Sequence, residues 1–398
     1  MSNSHHAYIH NLTPLRGFAA LWVAAYHFRM SMPGFARYDI TKVLSKGYMM
    51  VDLFFIMSGF IILHVYGDDF SRQLAKGNVK KYFIARFART YPLHFFTLGL
   101  LIVMTWISGH WSIVNDPAAI PTNLLLLQSF GIHQLSTWNR LSWSLSAEWA
   151  SYVVFPLLSI SFNQSKRLTL MLIPILILAT YISLLYFLPP KGIGNAQRLI
   201  LHQLDVTYDY GFLRGLAGFT LGMLCYEFYF NAHYRELFSS DLAAVIFISM
   251  TFLYMYENVN DLLLIPALSG LTLCFASNCG RLHKYCSLTV LQLIGKVSYS
   301  IYLIQWFIAT LFASLLALPA LKEALPPLET ASFLAGTLYE ITYLLLLISF
   351  SCLTYYGIEK PFRNYINRAT QRRPPTHPAK SNLPSPSTLL SENPRSHS

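Results

Sequence analysis

The stretch "LTLMLIPILILATYISLLYFL", from Leu168 to Leu188, decides the fold class. It is an uncharged apolar run, and about 20 such residues cross the hydrocarbon core of a bilayer as one helix. The rest of the chain repeats the pattern. Of its 398 residues 54% are hydrophobic and only 12% charged, against about 25% charged in soluble domains. Most of the surface therefore faces something other than water. Ten apolar runs follow one another, near 14–32, 48–66, 91–109, 143–162, 168–188, 211–230, 242–257, 261–278, 291–317 and 333–354. The expected fold is all-α: a polytopic membrane protein with about ten transmembrane helices in one bundle. A shorter run, "PTNLLLLQSFGI" (Pro121 to Ile132), reads as an interfacial or re-entrant helix on the outer side.

The net charge of +11 is distributed unevenly. With the N-terminus inside, the inner segments hold Arg72, Lys76, Lys80, Lys81, Arg86 and Arg89, then Lys166 and Arg167, Arg235, Arg281 and Lys284. Lys360, Arg363, Arg368, Arg372 and Arg373 follow the last run. The outer segments are poorer: Arg37, Lys42 and Lys46, then Arg140, Lys191 and Arg198, and Lys322. This is the positive-inside pattern, with both termini cytoplasmic in a multi-pass protein of the cell (inner) membrane. Once the spans are removed, no basic-aromatic face for nucleic acid remains. The first run carries Arg16 and His27 and lacks a small-residue cleavage site, so it does not read as a signal peptide. From Arg368 on, Pro and Ser dominate, and the expected organisation is a membrane domain over 1–367 followed by a disordered cytoplasmic tail over 368–398.

Of the five cysteines, Cys225, Cys274, Cys279, Cys286 and Cys352, the first two and the last lie inside apolar runs. The "NCGRLHKYC" loop adds His283, but its spacing matches no zinc pattern, and no metal is expected.

Chemistry is carried by polar residues inside or beside the apolar runs. In "LTPLRGFAALWVAAYHF" (Leu12 to Phe28), Arg16 and His27 are eleven steps apart, about 16 Å along a helix and on one face. An imidazole inside a span is costly unless partnered. Arg16 alone could be a snorkelling anchor. In "VDLFFIMSGFIILHVY" (Val51 to Tyr66), Asp52 opens the second run and an antiparallel neighbour would bring it level with His27; helix capping is the plainer reading. Ser58 and Gly59 offer a close helix contact. In "KKYFIARFARTYPLH" (Lys80 to His94), Arg86 and Arg89 share a face at the cytoplasmic mouth of the third run. Two adjacent guanidinium groups suit a phosphorylated ligand, though lipid headgroups would attract them too. In "RLSWSLSAEWASYVVFP" (Arg140 to Pro156), Ser144 and Glu148 lie one turn apart, with Glu148 inside the span. In "IGKVSYSIYLIQW" (Ile294 to Trp306), Lys296, Ser298, Tyr299, Tyr302 and Gln305 form a polar stripe. In "YYGIEKPFR" (Tyr355 to Arg363), Glu359 reads as structural and Pro361 as the end of the last helix.

These six motifs, in this order from about Leu12 to Arg363, resemble the membrane-bound acyltransferase-3 family. The resemblance implies a ten-helix fold, an acyl-CoA donor entering from the cytoplasm and a hydroxyl acceptor reached from the other side. It implies functional positions at Arg16, His27, Arg86 and Arg89. One departure stands out: the family's "SYSLYL" stretch often continues to a His, and here that position is Gln305, whose amide cannot shuttle a proton. The chain is also expected to lack the extracytoplasmic hydrolase-like domain of longer relatives, and so to act alone or pass its product to a partner.

The expected activity is O-acyl transfer, acetyl by default, from acyl-CoA to a carbohydrate or glycolipid acceptor, as in polysaccharide modification. Besides acyl-CoA and that acceptor, the only other partners expected are membrane lipids, and no bound cofactor is required. His27 is the expected base, because imidazole exchanges protons near neutral pH. Asp52 or Glu148 would orient it, Arg16, Arg86 and Arg89 would hold the donor, and Ser144 and Tyr302 would line the substrate path. The rival reading is a transporter or flippase of a lipid-linked or small anionic substrate. It shares the intramembrane charges, but repeated halves, which would favour it, are missing from the sequence.

Overall fold

The computed structural model describes residues 8–109, 111–189 and 203–371. Among these the protein is helical and has no strand. The principal helices are α1 (Leu12–Arg29), α2 (Met50–Tyr66), α3 (Lys76–Ser108), α4 (Trp143–Gln164), α5 (Lys166–Ile182) and α6 (Gly211–Phe230). They continue with α7 (Asp241–Tyr256), α8 (Asp261–Ser277), α9 (Thr289–Lys296), α10 (Ser298–Leu316), α11 (Phe333–Thr354) and α12 (Lys360–Gln371). Helix stands at each of the ten apolar runs. Among the described residues, six segments are both long and apolar enough to cross a membrane: Asp39–Tyr66, Lys76–Ser108, Arg140–Gln164, Lys166–Phe187, Ser298–Leu316 and Phe333–Thr370.

The helices that miss this standard do so for two reasons. α7 and α8 are apolar but short, at 16 and 17 residues. α1 and α6 are long enough but carry Arg16, His27, Arg214 and Glu227. Both are largely buried by their neighbours, so their polar groups meet protein rather than lipid. Small residues let α6 approach this closely. A Cβ on Gly222 would fall 1.9 Å from the Ile56 carbonyl oxygen of α2, and one on Gly59 would fall 1.8 Å from that of Phe219. Gly59 is thus the close helix contact expected from the sequence. A second crossing sets α1 against α9, where a Cβ on Gly295 would fall 2.1 Å from the Thr13 carbonyl oxygen.

Four expectations on the course of the chain need correction. The third run begins its helix at Lys76, fifteen residues before its apolar part, so Arg86 and Arg89 lie well inside α3 rather than at its mouth. The run at 291–317 is two helices broken at Val297. Of Pro121–Ile132 only the start is helical (Ile120–Leu124); turns follow, with Leu126 at φ 56. These turns are held by side chains, with Ser146 Oγ donating to the Leu126 carbonyl at 2.6 Å and Gln128 Nε2 to Ser142 Oγ at 2.8 Å. Pro361 does not end the last helix. A π-turn at Tyr355–Glu359 leads into α12, where Pro361 occupies the first turn, a position that needs no backbone N–H partner. α12 runs to Gln371, and the rest of the expected tail, 372–398, lies outside the described residues, as do Lys191 and Arg198.

The "NCGRLHKYC" loop is a structural tie. His283 Nδ1 pairs with Asn11 Oδ1 at 2.8 Å, and Asn11 Nδ2 donates to the carbonyls of Phe275 and Asn278, both at 2.9 Å. The loop thereby fixes the N-terminal end of α1.

Candidate active site

Five helices converge on a cavity that gathers most of the residues singled out in the sequence. α1 contributes Arg16, α2 Ser58, α3 Arg86 and Arg89, α4 Ser144 and Glu148, and α10 Tyr302. Each helix carries a separate motif, and the bundle brings them together. Three guanidinium groups face a single carboxylate in this lining, so the cavity is strongly cationic.

Each guanidinium is held differently. Arg86 donates from Nη2 to Tyr66 Oη at 3.1 Å and lies over the rings of Tyr66 and Tyr152, at 5.2 and 5.8 Å from their centroids. Cation–π contact fixes its plane without neutralising its charge. Arg89 pairs with Glu359 Oε1 at 2.6 Å. Arg16 has neither a hydrogen bond nor an ion pair among the described residues. Glu148 Oε1 accepts from Ser58 Oγ at 2.7 Å and Tyr152 Oη at 2.5 Å. Ser58 is therefore more than a packing residue. Tyr302 Oη and Ser144 Oγ both donate to the Leu141 carbonyl, at 3.3 and 3.2 Å.

Glu359 is fully buried and also lies 3.5 Å from Arg363 Nη1 and 3.2 Å from Ser300 Oγ. The π-turn that ends on Glu359 aims this carboxylate back into the bundle, and such turns recur at functional sites. Reading Glu359 as a helix terminator missed this contact.

His27 lies elsewhere. It lines a separate groove between α1, α10 and α11, together with Gln305, Trp306 and Tyr343. Its Nδ1 is 3.4 Å from Gln305 Oε1, and Gln305 Nε2 donates to the Tyr302 carbonyl at 3.0 Å. The expected Asp52–His27 pair is not formed. Asp52 is fully buried and bound by Arg214, whose Nη2 approaches Oδ2 to 2.6 Å and whose Nε approaches the two oxygens to 3.1 and 3.2 Å. Among the described residues no hydrogen bond joins Glu148 to His27 either: Glu148 Oε1 accepts from Ser58 and Tyr152, and its side chain lines the other cavity. Gln305, doubted because an amide cannot carry a proton, is the group that meets the imidazole. Arg214 went unremarked in the sequence, although an arginine within the apolar run "GFLRGLAGF" (Gly211–Phe219) is the kind of intramembrane charge that demands a partner.

The acyltransferase-3 family profile, described as an acyltransferase domain, matches residues 9–359. "Acyltransferase MdmB" of Streptomyces mycarofaciens is 33% identical over 157 residues, 37% of this chain and 38% of that protein. "Protein 2 in picA locus" of Rhizobium radiobacter is 36% identical over 92 residues, 23% of this chain and 42% of that one. "Putative peptidoglycan O-acetyltransferase YrhL" of Bacillus subtilis (strain 168) is 23% identical over 212 residues, 47% of this chain and 30% of that one. The chain thus spans between three and just over four tenths of the length of these relatives. No solved structure matches it.

Proposed function

Because the chain belongs to the acyltransferase-3 family, we propose that it is an integral-membrane O-acyltransferase that moves an acyl group, by preference acetyl, from acyl-CoA to a hydroxyl of a carbohydrate or glycolipid. The observation that carries this reading is the cavity where Arg16, Arg86 and Arg89 converge. A cluster of half-buried, incompletely paired guanidinium groups inside a membrane bundle is costly unless an anion completes it. The phosphates of CoA supply that charge, and arginine meets phosphate with two parallel hydrogen bonds. The loop charges of the sequence support ten crossings of the cell (inner) membrane with both termini and the donor entrance on the cytoplasmic side. The carbohydrate acceptor class draws on the peptidoglycan named for the Bacillus relative.

The chemistry follows from His27 and its neighbour. Donation from Nδ1–H to Gln305 Oε1 leaves Nε2 with its lone pair. The acceptor hydroxyl gives its proton to Nε2 as its oxygen attacks the thioester carbonyl carbon. The C–S bond then breaks, and the imidazolium returns the proton to the departing CoA sulfur. Gln305 positions the ring, the part expected of Asp52 from the sequence. Glu148 offsets one positive charge of the cavity. Tyr302 lines the cavity, and its carbonyl accepts from the Gln305 that meets His27, so one helix turn of α10 links the cavity to the groove.

Purified protein in lipid nanodiscs, given acetyl-CoA, should release free CoA and do so faster when a sugar is supplied. A protein that releases none under either condition is not an acyltransferase of this kind.

A further inference from the structure

The groove holding His27 is not needed by the residues that would bind CoA, and it is built for a different ligand. It runs along α10, where Ala309 and Ala313, four residues apart, keep its floor low. Thr310 and Ser31 contribute hydroxyl groups to its lining. Thr310 Oγ1 donates its proton to the Trp306 carbonyl at 3.0 Å, which leaves its oxygen lone pairs to accept from a ligand. At the rim stands Trp306, 41% exposed, with the Arg140 guanidinium 5.4 Å from its ring centroid. The neighbouring Gln305 touches His27, so the indole and the imidazole belong to one continuous wall.

An acyl chain has no use for a cation-braced indole, two hydroxyls and an imidazole. A sugar ring uses all of them. Its C–H face carries slight positive charge and lies against the negative face of an indole. Its hydroxyls pair with Ser and Thr, and one of them must meet the base. We propose that this groove is the acceptor site and that it takes a pyranose ring stacked on Trp306, with one hydroxyl presented to His27. Trp306 is then a specificity-determining residue rather than a catalytic one, and Arg140 braces it. The inference rests on the acyl-transfer reading, and the experiment separates the two.

Parent, Trp306→Ala and Trp306→Phe proteins in nanodiscs are given acetyl-CoA with water alone, with glycerol, or with N,N′,N″-triacetylchitotriose. The alanine variant should raise the KM for the trisaccharide roughly tenfold or more. Hydrolysis, transfer to glycerol and the KM for acetyl-CoA should change far less than the trisaccharide KM, and the phenylalanine variant should recover most of the loss. An unchanged trisaccharide KM in the alanine variant would make Trp306 an interfacial anchor and overturn the assignment. So would a parallel fall in all three reactions, or a parent that acylates glycerol but never the trisaccharide. A parent that releases no CoA in any arm fails the acyl-transfer reading itself, and the groove assignment goes with it.

Discussion

Two clusters of charge, one fully buried and one half-buried, sit in this bundle, and they are satisfied in opposite ways. Around Arg214, every part of the guanidinium is used. It donates to both oxygens of Asp52 and to the carbonyls of Val206 and Tyr48, and it lies 5.3 Å from the Trp143 ring centroid. Beside it, Asp261 is bonded to Lys46, to Tyr48 Oη at 2.8 Å and to the Leu204 N–H at 2.7 Å. In the cavity the guanidinium groups are left incomplete. Arg86 has a buried Nε without a partner, and Arg16 has none at all among the described residues. The lesson is that a buried charge in a span does not by itself mark a functional site. A saturated set holds helices together, and an unsaturated set that lines a cavity can take a ligand.

The largest test of this contrast falls on the saturated cluster. Arg214→Ala leaves Asp52 buried and unpaired, at a cost of about 3–5 kcal/mol. Folded protein in the membrane should fall sharply, which fluorescence-detected size exclusion would read. A variant that folds normally but loses only catalysis would move Arg214 into the functional set.

Next in size is His27. Its replacement by Ala should lower transfer by about 10²–10⁴-fold while leaving acetyl-CoA binding intact. Gln305→Leu should cost less, and adding it to His27→Ala should cost almost nothing further, because residues that act as a unit are non-additive. Losses that multiply in the double variant would show that Gln305 does not serve His27.

The unsaturated cluster should respond in binding rather than in fold. Replacing Arg86 and Arg89 together by Ala removes two charged contacts worth about 1.5–3 kcal/mol each. Isothermal titration with CoA should show at least a hundredfold weaker binding, since each ~1.4 kcal/mol is a factor of ten. Thermal stability should fall less than in Arg214→Ala, because Glu359 keeps Arg363 at 3.5 Å and Ser300 Oγ at 3.2 Å, and a parallel collapse of both would erase the distinction between the clusters.

The smallest effect has a sign that decides it. Glu359 engages Arg89 at 2.6 Å, so an anionic donor has to compete with it. Glu359→Gln removes the competing charge and should tighten CoA binding by roughly threefold. Weaker binding would instead make Glu359 a support that holds Arg89 in place for the donor.

Much of this is legible along the chain. Hydropathy and helical spacing are local properties, so the apolar runs, the shared face of Arg86 and Arg89, and the one-turn spacing of Ser144 and Glu148 can all be read from residue order alone. Helix starts are less so. The amphipathic turns from Lys76 to Tyr91 extend α3 beyond its apolar part because an established helix adds turns at little cost. The break at Val297 and the π-turn before Lys360 leave no hydropathy signal at all.

What the sequence determined by itself was therefore an inventory: where the apolar runs lie, in what order, and which few polar side chains lie within them. The pairings came only with the tertiary structure. Asp52 meets Arg214 across 162 residues, Arg89 meets Glu359 across 270, and His27 meets Gln305 across 278. A buried charge must find a partner, but sequence spacing says nothing about which helix will stand beside it. The side-to-side order of helices decides that, and it is set by packing, as where Gly59 and Gly222 let α2 and α6 touch backbone to backbone. That contact brings Arg214 to Asp52 and leaves His27 to an amide.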